Sequence, residues 1–362
     1  MFNTIRKKAD VIILIAAGVL IIVGLAILSS ASSMASMKKY DYSYFFILQQ
    51  MKNIGLGLIA FLAARFAPVK WIKKFSYVFL IISAILLIMI FTPLAGGYGT
   101  ASRWLEIGGF HFQPSETLKI TFILAMAAFL SNKKLDTKND WKQGFIPFLG
   151  AAGLISVLLY LQPTTSMIVI VMGAACIMYF VHGMNWKFIF VILGLVAIAG
   201  SFLMNGYRSD RIAVFKGANN DVRGKSYHSV QAEKAIISGG TFGVGYGQST
   251  VKNRLPAVEN DSIFAVMAEE FGFVGSMLFI SLYAVIVMAG FLGSLDAKTE
   301  FGKLGIIGLS SIIGLQSLMN IAAISGAMPL TGVPLPFVSY GGTAIIIAIA
   351  SIGLLINFLK NA

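Results

Sequence analysis

The chain has 362 residues, of which 57% are hydrophobic and only 12% are charged. Soluble proteins carry about 25% charged residues, so this composition excludes a soluble globular enzyme, a disordered chain, a coiled coil and a collagen. The net charge of +13 comes from 28 Lys and Arg against 15 Asp and Glu. In a soluble protein it would suggest a nucleic-acid partner, but in a membrane protein it marks cytoplasmic loops rich in Lys and Arg.

A membrane-spanning helix needs about 20 mainly apolar residues. In chain order such runs lie near 11–30, 45–64, 75–94, 114–130, 144–161, 164–182, 186–206, 262–293, 304–325 and 343–359. The reading is an all-α polytopic membrane protein of ten transmembrane helices, a single integral membrane domain over 1–362. The alternation of a membrane β-barrel is absent. The first run is not read as a cleaved signal peptide, because Leu28 to Ser33 leads toward another span without an A-x-A site. With both termini cytoplasmic, fifteen Lys and Arg fall in inside segments, and the short outside loops carry only Lys38, Lys39 and Arg103. That asymmetry orients membrane proteins. Segment 207–261 then forms a long extracytoplasmic loop between spans seven and eight. Its glycines (Gly239, Gly240, Gly243, Gly245, Gly247) suit either a flexible loop or a backbone that approaches a ligand closely. A nucleotide site is rejected, since the preceding strand and the P-loop lysine are missing. The single cysteine, Cys176, permits no intramolecular disulfide, and His111, His182 and His228 are too scattered for zinc.

Ionisable residues at membrane depth are costly and point to function. Here they are Lys52, Glu116, Lys119, Glu269 and Glu270, with Asp261 at a span entrance. Glu116 and Lys119 share a helix face at i,i+3, as a structural ion pair or as the wall of a polar cavity that offers Lys119 to an anionic headgroup. Arg103 suits phosphate oxygens, while its neighbour Trp104 reads as an interfacial anchor. Asp261 is either the N-cap of span eight or a general base at the external face. Glu269 lies about 80° around the helix from Asp261 and can face the same cavity. Glu270 points nearly opposite and is expected to pair with another helix. Gln316 and Asn320, at i,i+4, are read as interhelical hydrogen-bonding groups. The proline- and glycine-rich stretch 325–342 has the stiffness of a re-entrant lid.

Three ordered sets of residues resemble a known family. Arg103-Trp104-Leu105 with Gln113-Pro114-Ser115-Glu116-x-x-Lys119 is similar to the fourth-span signature of the SEDS proteins (shape, elongation, division and sporulation). Leu255-Pro256, Asp261-Ser262-Ile263-Phe264-Ala265-Val266 and Glu269-Glu270-x-Gly272-x-x-Gly275 resemble its central motif. Asn320, Gly326, Pro329, Thr331-Gly332, Pro334-Leu335-Pro336 and Ser339-Tyr340-Gly341-Gly342 resemble its C-terminal motif. The resemblance spans almost the whole chain. Ser29–Ser36, and Gly245 to Ser249 with Lys252, look closer to the division branch (FtsW-like) than to the elongation branch (RodA-like). There are departures: Thr164 stands where the family usually has Asp, Ser262 follows the aspartate in place of Phe, and Gln231 is followed by Ala232.

The resemblance implies a peptidoglycan glycosyltransferase of the bacterial cytoplasmic membrane. Such an enzyme polymerises lipid II with inversion, releases prenyl pyrophosphate, and works beside a class B penicillin-binding transpeptidase. It makes Asp261 the expected catalytic base, with Arg103, Glu116, Lys119, Lys252, Glu269 and Ser339 as expected substrate-binding residues. A divalent cation, Mg or Mn, can assist the leaving group, and no organic cofactor or nucleic acid is expected. A lipid flippase and a non-catalytic scaffold are the competing readings.

Overall fold

The computed structural model describes residues 2–92, 103–107, 110–162, 164–192, 194, 227–256 and 258–362. The helices in chain order are α1 (Phe2–Lys7), α2 (Ala9–Tyr40), α3 (Phe45–Phe66), α4 (Val69–Met89), α5 (Pro114–Leu130), α6 (Ile146–Leu161), α7 (Thr165–His182), α8 (Tyr227–Gly239), α9 (Ile263–Gly293), α10 (Glu300–Ile324) and α11 (Gly342–Asn361). A two-stranded antiparallel hairpin, β1 (Leu105–Ile107) and β2 (Phe110–Phe112), precedes α5 and pairs Leu105 with Phe112. The apolar runs did not foretell this hairpin.

Nine of the ten predicted spans coincide with helices α2–α7 and α9–α11. The seventh, 186–206, lies mostly outside the described residues, as does the first part of the long loop. Among the described residues, eight helices are long and apolar enough to cross a membrane. The exception among the nine is α5, with 17 residues, all buried except Thr117 and Phe129. It packs against α4, α7, α10 and α11 and forms the centre of the bundle.

Helix α2 is longer than the apolar run that announced it. It continues through Ser29–Ser36 to Tyr40 and ends at Asp41 in the left-handed conformation. Helices α2 and α9 lie antiparallel: Arg6 bonds Asp296 at one end, and Ser30 donates to Glu270 toward the other. Close helix approach rests on small residues. A Cβ on Gly353 of α11 would lie 2.5 Å from the Phe61 carbonyl of α3. The stretch 325–342 folds into the bundle, and a Cβ on Gly24 of α2 would lie 2.8 Å from Val338 Cα.

Candidate functional site

Asp261 lies two residues before α9 begins, and the N-cap position is held by Ser262, whose side chain makes no capping bond. Ser262 Oγ donates instead to the Pro256 carbonyl at 3.0 Å and shares a hydrogen bond with His228 Nε2.

The main chain around Asp261 is held by side chains and amides from other segments. Asn320 Nδ2 of α10 donates to the Asp261 carbonyl (2.9 Å) and to the Val333 carbonyl (2.7 Å). Ser339 Oγ donates to the Asn260 carbonyl at 2.6 Å and accepts from Leu335 N–H at 2.8 Å. The Tyr340 amide donates to the Glu259 carbonyl at 2.8 Å. Three successive carbonyls, 259 to 261, are thereby fixed against the 325–342 stretch. The Asp261 carboxylate lies over Gly332, where a Cβ would come within 3.6 Å of Oδ2. Gly332 has φ +64, a conformation that side chains disfavour. Burial pushes the Tyr340 phenol up to about 12, so it stays an uncharged donor.

The same stretch is pinned from three further spans. Gln50 of α3 reads both sides of the backbone at 339–341: its Nε2 donates to the Ser339 carbonyl (3.1 Å) and its Oε1 accepts from Gly341 N–H (3.3 Å). Ser166 Oγ of α7 donates to the Thr331 carbonyl at 3.0 Å. Gln316 Nε2 of α10 donates to the Pro334 carbonyl at 2.9 Å, while its Oε1 accepts from Lys119 Nζ at 2.7 Å. Lys119 Nζ also bonds Glu116 Oε2 at 2.6 Å, and both side chains are almost wholly buried. A buried pair persists only when its geometry and hydrogen bonds offset desolvation, and here Gln316 supplies the extra acceptor. Finally, Thr343 Oγ1 at the start of α11 accepts from the Gln113 amide at 3.1 Å, which ties the hairpin and the entry of α5 to the C-terminal motif. Arg103, half-buried, leads into that hairpin, and Trp104 beside it is exposed.

Lys252 and Glu269 belong to a second cluster. Both Glu269 oxygens are bonded by the 249–250 turn: Ser249 Oγ donates to Oε2, and Thr250 N–H (3.0 Å) and Oγ1 (3.2 Å) donate to Oε1. Glu270 accepts from Ser30 Oγ of α2, and Lys252 Nζ lies 3.6 Å from its Oε1. Lys252 also donates to Ser30 Oγ (3.1 Å) and to the Gly247 carbonyl (2.8 Å). The expectation that Glu270 pairs with another helix is met. Glu269, which the helical angle alone allowed to face the Asp261 cavity, is 1% exposed and faces its own loop. Helical angle does not relate the two residues, because Asp261 lies outside α9, which is itself broken further on at Gly272 (φ 66, ψ −165).

The glycine-rich loop fits that break. A break strands backbone groups, which are costly at membrane depth. Here Val244 N–H donates to the Glu269 carbonyl and Gly245 N–H to the Glu270 carbonyl. In return Phe273 N–H reaches the Gly240 carbonyl and Val274 N–H the Thr241 carbonyl, all at 2.9–3.1 Å. A Cβ on Gly243 would lie 2.2 Å from the Glu270 carbonyl oxygen. The glycines thus serve close backbone approach, to a helix of the same chain.

Two further residues answer the sequence reading. Lys52 lies on the exposed face of α3, away from the site. Thr164, in place of the family's Asp, donates to the Leu159 carbonyl at 2.9 Å and so closes the preceding helix. Gln50, Ser166 and Thr343 were missed; an uncharged polar residue inside an apolar run is the signal that marks them. As for a divalent cation, the described residues contain no group of three or more His, Cys, Asp or Glu able to hold one.

Residues 10–362 match the FtsW/RodA/SpoVE family of cell cycle proteins. The chain is 32% identical to the stage V sporulation protein E of Bacillus subtilis, covering 98% of each chain. It is 31% identical to the probable peptidoglycan glycosyltransferase FtsW of Geobacter sp., covering 96% of each. It is 32% identical to the peptidoglycan glycosyltransferase MrdB of Escherichia coli, covering 85% of this chain and 84% of that one. Among solved structures, a chain of a peptidoglycan synthase complex superposes with a TM-score of 0.81 at 23% identity, covering 96% of each chain. The rod shape determining protein RodA of Thermus thermophilus gives 0.71 at 24% identity, covering 96% of this chain and 95% of that one. From the motifs, the convergence of their residues on one site and these likenesses together, the chain belongs to the FtsW/RodA/SpoVE family of cell cycle proteins.

Proposed function

We propose that this chain is a peptidoglycan glycosyltransferase that polymerises lipid II at the outer face of the bacterial cytoplasmic membrane. The relatives named as such enzymes support the activity. The observation that carries the site is the fixation of carbonyls 259–261 by Asn320, Ser339 and Tyr340, which presents Asp261 from an immobile main chain. A catalytic base must be held within hydrogen-bond reach of the proton it takes, and a fixed backbone restricts the carboxylate to its side-chain torsions.

Asp261 accepts the proton of the acceptor sugar's 4-hydroxyl as that oxygen attacks the donor's anomeric carbon. The new C–O bond forms on the face opposite the departing group, with inversion, and the old bond breaks toward prenyl pyrophosphate. The proton then passes from Asp261 to water. Charge that develops on the leaving group requires fixed positive groups. Arg103, at the entry of the hairpin, is the direct candidate, and Lys119 acts through its field while Glu116 and Gln316 hold it. Ser339 positions the base. Lys252 and Glu269 support α9 from below. A divalent cation held between a carboxylate and the pyrophosphate would add to this stabilisation, and no step is routed through it.

In this reading one membrane domain spans 1–362 with ten helices, both termini are cytoplasmic, and the 207–261 loop is external. A class B penicillin-binding transpeptidase is the partner. Division, elongation and sporulation relatives match at similar identity, so the branch is open between them. The test is glycan-chain synthesis from purified lipid II with and without that partner. Lipid II scrambling in proteoliposomes without polymer would favour the flippase.

A further inference from the structure

The external loop contains apolar side chains that water should not favour. Phe242 is 81% exposed and Ile237 70%, with Val244 and Tyr246 also exposed. Their height along the bundle follows from a residue count along α2 and α9. Asp296, Arg6 and the lysines Lys7, Lys8 and Lys298 cannot lie in hydrocarbon, so the apolar layer begins near Ala9 of α2 and Gly293 of α9. At about 1.5 Å per residue, a layer of about 30 Å takes roughly 20 residues, ending near Ser29 and Phe273. From the other end, α9 runs inward from Asp261 to Gly272. The count places the break in α9 at the edge of the hydrocarbon layer. The loop shares that height, because residues 240–245 exchange main-chain hydrogen bonds with 269–274. Tyr246 OH donates to the Ala26 carbonyl of α2 at 3.1 Å, on the same level.

We propose that the Gly239–Gly247 loop, together with the end of α8 that carries Ile237, is a re-entrant element that seats in the outer leaflet and presents Phe242, Val244 and Ile237 to lipid. Three observations favour a bilayer over water as the occupant. The backbone hydrogen-bonding of the loop is directed into the α9 break, as an apolar layer demands. Lys252 and Glu270, beneath the loop, are paired, and Glu270 is buried. Tyr246 holds the amphipathic position typical of the membrane interface. The assignment rests on the orientation proposed above. It has a consequence for that reading: the element seated in lipid is the one that completes the helix leading to Asp261.

The test uses the full-length protein with Cys176→Ala as background. Phe242→Cys and, separately, Ile237→Cys are spin-labelled in proteoliposomes, and collisions with oxygen and with a water-soluble nickel chelate are compared. Ile81→Cys, exposed on α4, is the lipid reference, and Lys39→Cys, at the exposed outer end of α2, is the aqueous reference. The expected result is loss of nickel accessibility and an oxygen preference matching Ile81→Cys at both loop positions. Nickel accessibility equal to that of Lys39→Cys would overturn the proposal, as would shielding from both reagents, which means that protein covers the loop. The readout requires no polymerisation, so a failed glycosyltransferase assay would leave it standing, and a failed depth measurement would leave the enzyme reading standing.

Discussion

Two acidic regions lie toward the outer end of α9, and the hydrogen bonds that anchor them fall on different atoms. At Glu269 and Glu270 the carboxylates themselves are bonded, by Ser249, Thr250, Ser30 and Lys252. At Asp261 the partners grip the main chain: Asn320 holds its carbonyl, and Ser339 and Tyr340 hold the two before it. Glu269, with both oxygens bonded by its own loop, serves the structure. At Asp261 the fixed main chain sets where the carboxylate stands, over Gly332. The comparison teaches that hydrogen bonds around an acid must be assigned to atoms before the acid is assigned a role.

Four variants sharpen that contrast, beginning with the largest effect. Lys119→Met leaves Glu116 buried without its charge partner and is expected to cost about 3–5 kcal/mol, seen as a lowered unfolding midpoint in detergent. Adding Glu116→Gln should recover much of it. Gly272→Ala forces a side chain into φ +66 with its Cβ 2.3 Å from Gly243 N, with an expected loss of roughly 1–3 kcal/mol by the same measurement. Ser339→Ala removes the donor to Asn260 and the acceptor for Leu335, at about 1–3 kcal/mol; kcat should fall further than that stability loss explains, because the main chain at 259–261 loosens. Arg6→Ala should leave both the midpoint and polymerisation unchanged, since an exposed pair contributes little. A Ser249→Ala variant that lost as much kcat as Ser339→Ala would erase the distinction between the two regions.

The fold was largely legible because membrane helices are announced by long apolar runs, and α9 begins within one residue of its run. The hairpin at 105–112 was not, since three-residue strands carry no periodic signal. In the site, Asp261, Glu116, Lys119 and Asn320 stood out as polar groups in apolar surroundings. Glu269 was placed by helical angle, which does not reach Asp261 because that residue lies outside α9; that α9 breaks at Gly272 and that the 239–247 glycines fill the break shows only in three dimensions. Gln50 was missed because it has no polar neighbour at i,i+4 of the kind that marked Gln316 and Asn320. Its role is a two-ended grip on the 339–341 backbone, a property of register between distant segments.

The central claim is that the Asp261 carboxylate, and not its shape or a capping bond, serves the chemistry. The most direct measurement is glycan-chain synthesis from purified lipid II, with the partner present, by Asp261→Asn, an isosteric variant that retains hydrogen bonding. The expected outcome is normal folding and membrane insertion with polymerisation reduced by about 10²–10⁴-fold, the size of a general-base contribution. Wild-type chain synthesis by that variant would contradict the assignment.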